Sequence, residues 1–380
     1  MAKKKDSVVM HEQDLQQVSA QQRVMQVLVK SLTYLFLGVM ALIVLFPFYW
    51  MLISSVKTLA EYRLSVPTFW PKEIVLYNYV EAFNTANLGI FPDHDYKGDG
   101  IRIKEVIKGG TLYIADPEIK EGDVITSING TEIKAGTDWY PLLRMQGGKK
   151  MAITIKKGGK KEVEMYVEPA FTDIPQLYNR WVEQRAQMVK ELSGGKIGYV
   201  HVEGMDSESF RRVYSDLLGK YRTCEAVIVD TRHNGGGWLH DDLATLLGGT
   251  GYIRFEPRGQ YIGTEPYNKW TKPSCVLMGE DNYSDACGFP YVYRALGIGK
   301  LIGAPVPGTM TAVWWENQID NTIVFGIPQV GALGVKEGRY LENMQIEPDI
   351  LVYNDPASVL RGEDKQLEAA VAEMLKTIEK

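Results

Sequence analysis

Gly279-Glu280-Asp281-Asn282-Tyr283-Ser284-Asp285-Ala286-Cys287-Gly288 is the stretch from which the rest of the chain can be read. A turn-forming cluster is followed by a serine, then by small residues and an apolar run. Just before it, Ser274-Cys275-Val276-Leu277-Met278-Gly279 has the length and composition of a buried strand. Residues 291–296 continue a helix after it. Strand, turn, serine and helix in that order make an elbow on which Ser284 stands exposed as a nucleophile. N–H groups of the helix's first turn then point at a reacting oxyanion. A serine in a turn also caps helices, and Ser284 can cap one that begins near Asp285.

A related order occurs upstream. Cys224-Glu225-Ala226-Val227-Ile228-Val229-Asp230 reads as a buried strand and runs into Asn234-Gly235-Gly236-Gly237, with a helix over residues 239–247. Glycines let backbone N–H groups converge, and the helix N-terminus adds positive potential. A phosphate loop would end in Gly-Lys-Ser/Thr, and this loop does not, so its anion is a transient oxyanion.

Around these two units the pattern predicts an α/β core over residues 171–380. Residues 175–192 fit a helix ended by Gly194-Gly195. Residues 197–202 form a strand. Residues 207–218 have helical spacing, with Phe210, Val213, Leu217 and Leu218 on one side. Residues 301–303 form a strand, followed by a Pro/Gly loop over 304–309. Residues 366–378 form an amphipathic helix.

Residues 88–170 have a different character. Leu88-Gly89-Ile90-Phe91 precedes an alternating strand, Ile101-Arg102-Ile103-Lys104-Glu105-Val106. Glu121-Gly122-Asp123-Val124-Ile125 and Ile128-Asn129-Gly130 follow, and Asn-Gly is a strong hairpin turn. Two more strands, residues 151–155 and 163–167, are joined at Gly158-Gly159.

The N-terminal residues 1–30 are polar and charged; residues 13–29 can form a helix lying near a membrane, but its apolar face is thin and no fold of its own is expected here. Residues 32–53 carry no charge and match the roughly 20 residues that cross a bilayer core. Pro47 is tolerated in such a helix, and Tyr49 and Trp50 suit an interfacial belt. Lys3, Lys4, Lys5, Arg23 and Lys30 precede the span, against Lys57 and Arg63 after it. The positive-inside rule then puts the N-terminus in the cytoplasm and the remainder outside, in a single-pass protein of the plasma (inner) membrane. The expected divisions are a tail at 1–30, a transmembrane helix at 31–55 and a flank at 56–87.

A net charge of -5 with no long basic stripe excludes a nucleic-acid partner. Three cysteines make no disulfide framework, and no CxxC or Cys/His metal spacing is present. No cofactor is called for.

Phe46-Pro47-Phe48-Tyr49-Trp50-Met51, Phe69-Trp70-Pro71 and Asn78-Tyr79-Val80-Glu81-Ala82-Phe83 resemble the start of sugar-type ABC-transporter permeases. One helix cannot enclose a pathway, so transport is not available to this chain alone. Glu121 to Ile125 with Ile128-Asn129-Gly130 resembles a PDZ domain. That implies a groove adding a peptide as an extra strand, with N–H groups around Leu88, Gly89, Ile90 and Phe91 holding its terminal carboxylate. The alternative is a spacer that binds nothing.

The PDZ-like module, Asp230-Thr231-Arg232-His233-Asn234-Gly235-Gly236-Gly237, Asp281 to Asp285, and Glu342-Asn343 with Pro348-Asp349 occur in that order. As a set they resemble the tail-specific protease superfamily, closest to its tricorn branch. The resemblance implies a crotonase-like α/β catalytic core, a mixed sheet with helices, beside a mainly-β PDZ domain. It makes Ser284 the acyl-forming nucleophile, gives the oxyanion hole to the N–H groups of Gly237 and Asp285, and lets Glu342 orient the base system. Glu342 also reads as a surface salt-bridge partner. The implied substrate is a peptide or unfolded protein, and the implied assembly a homo-oligomer. Processing-peptidase relatives carry a lysine base where this chain has Thr309. The tricorn branch draws its base from a Ser-His pair before the PDZ module, and residues 12–93 contain no histidine. A serine without a partner base is a poor nucleophile. A catalytically incomplete, membrane-tethered peptide binder is therefore the competing expectation. Of the histidines, His11 lies across the membrane, His94 reads as a loop residue and His201 as a packed strand residue. His233 and His240 flank the glycine loop and are candidate replacement bases.

Overall fold

The computed structural model describes residues 12–62, 64, 66–76, 85–159, 161–320 and 322–379. His11 and the permease-like motif at 78–83 lie outside the described residues. The chain divides into two compact units, Met1–Asp173 and Ile174–Lys380.

The first unit opens with helix α1 (Glu12–Ser55), 44 residues in length. At 1.5 Å per residue it is about 66 Å long. Residues 12–30, the described part of the polar tail, lie in the same helix. It lacks the Pro, Gly or capping residue that would end a helix at residue 30. Pro47 sits inside without ending it. The segment Val27–Ser55 is long and apolar enough to cross a membrane, and Leu32, Phe36, Leu42 and Leu52 are all exposed on it.

The same unit holds an antiparallel sheet of β1 (Ile90–Pro92), β2 (Ile101–Val106), β3 (Val124–Ile128), β4 (Thr131–Glu132), β5 (Met151–Lys157) and β6 (Lys161–Val167). The order is β1-β2-β3-β5-β6, with β4 on β3. Alternation puts Ile101, Ile103, Ile125, Met151, Ile153 and Ile155 in one core with Leu112 of the short helix α2 (Thr111–Ala115). The β3–β4 hairpin turns on Asn129 and Gly130, with φ of 48° and 75°, the left-handed pair that a two-residue primed turn requires.

The second unit is built on a parallel sheet of β7 (Ile197–His201), β8 (Ala226–Asp230), β9 (Ser274–Met278), β10 (Lys300–Gly303) and β11 (Ile350–Leu351), in the order β11-β10-β9-β8-β7. Antiparallel hairpins at 253–265 and 312–330 supplement it. The central strands are buried along their whole length, which is why they read as unbroken apolar runs. Alternation divides them between two faces. Tyr199, Ile228 and Leu277 pack on helices α3 (Ile174–Leu192) and α7 (Lys365–Ile378). Val200, Val227, Val229 and Met278 pack on α5 (His240–Leu247) and α6 (Asp285–Ala295). Helix α4 (Ser207–Ser215), capped by the Asp206 carboxylate, ends three residues earlier than its spacing predicts and widens into a π-type turn over Asp216–Lys220. Leu217 stays buried there.

Candidate active site

A parallel sheet carries all its strand ends to one edge, so the loops after β7, β8, β9 and β10 meet there. Ser284 stands in the loop after β9, half-buried, with φ 53° and ψ -122°. That backbone conformation is rare for a residue with a Cβ. Ser284 occupies the N-cap position of α6, yet its side chain makes no cap bond. The capping alternative therefore fails, and the hydroxyl is left for other chemistry. The Ser284 N–H donates to Thr309 Oγ1 at 2.9 Å.

The glycine loop after β8 lies against this elbow. Tyr283 N–H donates to Asn234 O at 3.0 Å. Buried Asn234 also braces the loop itself: its Oδ1 accepts from Gly236 N–H at 2.8 Å and its Nδ2 donates to Val202 O at 2.8 Å. A Cβ on Gly236 would come within 2.6 Å of Tyr283 O and 2.7 Å of Ser284 Cβ, and one on Gly237 would strike the Met205 carbonyl. Both glycines have positive φ, so contact and conformation each require the missing side chain. Among the described residues, the N–H groups of Gly237 and Asp285 have no backbone or side-chain acceptor.

Asp285 contributes a buried carboxylate. Its Oδ2 accepts from Leu239 N–H at 2.6 Å and from His240 N–H at 3.0 Å, and its Oδ1 pairs with His240 Nδ1. The hydrogen bond to Asp285 raises the His240 pKa, against the effect of burial.

Glu342 comes from the segment before β11. Its Oε2 accepts from Met310 N–H at 2.8 Å and Thr311 N–H at 2.7 Å, directly after Thr309. Among the described residues it makes no ion pair, so the salt-bridge reading fails. Burial pushes the Cys287 thiol up, hydrogen bonding to Thr309 opposes this, and the Glu342 charge adds to the rise.

Residues 196–352 match the model of peptidase family S41, and residues 84–167 match that of the PDZ domain. The tricorn protease of Thermoplasma volcanium is 26% identical over 68% of this chain and 25% of its own length. Tricorn protease homolog 1 of Streptomyces coelicolor is 28% identical over 69% of this chain and 24% of its own. The chain carries a peptidase family S41 core and a PDZ domain, and it is similar to the tricorn proteases. A crystal structure of the tricorn protease shares the fold, with a TM-score of 0.71 at 23% identity over 78% of this chain and 30% of the other. The chain thus spans about a quarter of the length of these curated relatives. The family matches cover residues 84–167 and 196–352 and lend nothing to the permease resemblance at residues 46–83.

Within the tail-specific protease frame, the structure brings Ser284, Gly237, Asp285 and Glu342 to one edge of one sheet. His201 is a packed residue: burial lowers its pKa, Nδ1 meets Tyr178 OH at 2.8 Å and Nε2 meets Arg232 O at 2.8 Å. The His233 ring pairs with Asp281 on the surface. Leu88, Gly89, Ile90 and Phe91 lie on and beside β1, an edge strand of the other unit. The carbonyls of Leu88 and Gly89 accept from Leu112 and Ile107. Burial pushes the Asp173 carboxyl up, opposed by the Gly89 N–H beside it.

Sequence reading missed the scaffold behind the glycine loop. Arg232, buried, pairs with Asp230 at 2.7 Å and with Asp364 at 2.9 Å. Burial works against both carboxylates, yet Arg232 holds them below the usual carboxylate range. Asp230 and Arg232 stand two apart in the motif and could have been paired. Asp364 lies 132 residues from Arg232 and has no local signal.

Proposed function

We propose that this chain is a membrane-tethered serine peptidase that hydrolyses peptides or unfolded polypeptides through an acyl-enzyme at Ser284. The observation that carries this reading is the uncapped Ser284 hydroxyl at φ 53°, beside two N–H groups without acceptors. Ser284 Oγ attacks the scissile carbonyl carbon as its proton passes to a base. The peptide C–N bond breaks, the amine leaves with that proton, and water hydrolyses the ester. Gly237 and Asp285 N–H hold the oxyanion, each donor contributing on the order of 3–4 kcal/mol. Glu342 orients the base system from the Thr309 side. Residues 32–53 anchor the chain, with the N-terminus cytoplasmic. The outer edge of β1 takes a peptide as an added strand, its carboxylate on the N–H groups around Leu88, Gly89, Ile90 and Phe91.

One observation favours a second reading, a peptide-binding protein that does not cut. No histidine occurs in residues 12–93, where tricorn-like relatives carry their base. A fluorophosphonate probe applied to the full chain in membranes separates the two. Labelling at Ser284, with peptide hydrolysis lost in Ser284→Ala, supports the peptidase. Peptide capture by a chain that stays unlabelled supports the binder.

A further inference from the structure

Asp285 has a second part to play beside its backbone N–H. The two proposed oxyanion donors sit on different elements: Gly237 ends the glycine loop and Asp285 opens α6. Asn234 and Met205 brace the glycine loop, and Tyr283 N–H meets Asn234 O, but none of these bonds joins Asp285 to the residues just beyond Gly237. The Asp285 side chain spans that gap. Its Oδ2 holds the N–H groups of Leu239 and His240, two and three residues beyond Gly237. Its Oδ1 holds the His240 ring. Three bonds to one carboxylate with only 6% of its side chain exposed make a rigid joint.

We infer that the Asp285 carboxylate, with His240 as its counter-ion, is a clamp that sets the distance between the Gly237 and Asp285 N–H groups. Asp285 is thus a positioning residue as well as a donor, an inference that rests on the peptidase reading of Ser284. The charged groups facing His240 are Asp285, Asp241 and Asp242, and Trp238 lies edge-on to it with ring centroids 5.5 Å apart. Displacing an aligned donor by about 1 Å can cost about a hundredfold in rate.

The test uses the full chain with Asp285→Ala, Asp285→Asn and Ser284→Ala. Asp285→Ala should lower the fluorophosphonate labelling rate by about a hundredfold while leaving peptide affinity within about twofold. Asp285→Asn should recover to within about tenfold, since its amide oxygen still accepts from Leu239 and His240 N–H. Amide hydrogen exchange over residues 236–240 should rise about tenfold in Asp285→Ala and stay at the wild-type level in Ser284→Ala. Wild-type labelling in Asp285→Ala, or unchanged exchange there, overturns the clamp. If the wild-type chain itself stays unlabelled, the peptidase reading falls and the exchange measurement still decides the clamp.

Discussion

The hydroxyl of Thr309 accepts the N–H of Ser284 at 2.9 Å, across 25 residues of chain. A threonine hydroxyl thus holds the serine's backbone in place. Thr309→Val keeps the shape and removes the acceptor, leaving the Ser284 N–H unpaired. Urea unfolding should show a loss of about 1–3 kcal/mol, with Thr309→Ser restoring most of it. Equal stability of the valine and serine variants would count against this bond.

The Asp230–Arg232–Asp364 cluster is the support behind the glycine loop. Arg232→Ala removes the cation shared by two buried carboxylates, leaving Asp230 with Tyr199 OH and Asp364 with Arg185 and Asn354, and should cost about 3–5 kcal/mol. Both carboxyls titrate below their ordinary value in the folded chain. Their contribution is therefore present above about pH 3.9 and lost as pH falls through the folded values. The gap in Tm between wild type and Asp364→Asn should narrow below that pH. A gap that is constant from neutral pH to the acid transition contradicts the assignment.

His240 has the opposite sign. Its folded pKa is raised by Asp285, so the ion pair's contribution is full below about pH 6.5 and fades as pH rises through the higher folded value. Thermal unfolding of wild type and His240→Gln should differ most on the acid side of neutrality and converge on the alkaline side. Divergence toward alkaline pH would reverse the assigned sign.

At the edge of the PDZ unit, the Asp173 carboxylate faces the Gly89 N–H that the proposed groove would offer to a peptide carboxylate. Removing it in Asp173→Ala should tighten binding of a peptide with a free C-terminal carboxylate, read by fluorescence anisotropy. An amidated peptide should gain nothing. Equal gains for both peptides would place the bound carboxylate elsewhere.

Leu341 is buried while Glu342 beside it is half-buried, and nothing in that local contrast says which loop the carboxylate meets. Glu342 reaches the site only because Asn343 N–H bonds Gly308 O at 2.6 Å and Ile346 pairs with Val306, laying one segment along the other. The same holds for Asp285. Its backbone part in an oxyanion hole is implied by its place after Ser284, but its grip on Leu239 and His240 is not, because those residues precede it by more than forty positions.

Period and turn chemistry act over a few residues, so the sequence alone determined the elements they govern. These are the buried strands before Asp230 and Gly279, the Asn129-Gly130 hairpin, the uncharged span at 32–53, and the elbow at Ser284. The tertiary structure decided what those elements bring together. Parallel pairing of β8, β9 and β10 carries their carboxyl ends to one edge, where loops separated by tens of residues touch. Only there do Thr309, Glu342 and the Asp285 carboxylate acquire partners. Those partners are backbone N–H groups, one thiol and one imidazole, and their positions depend on how the strands align rather than on any spacing along the chain.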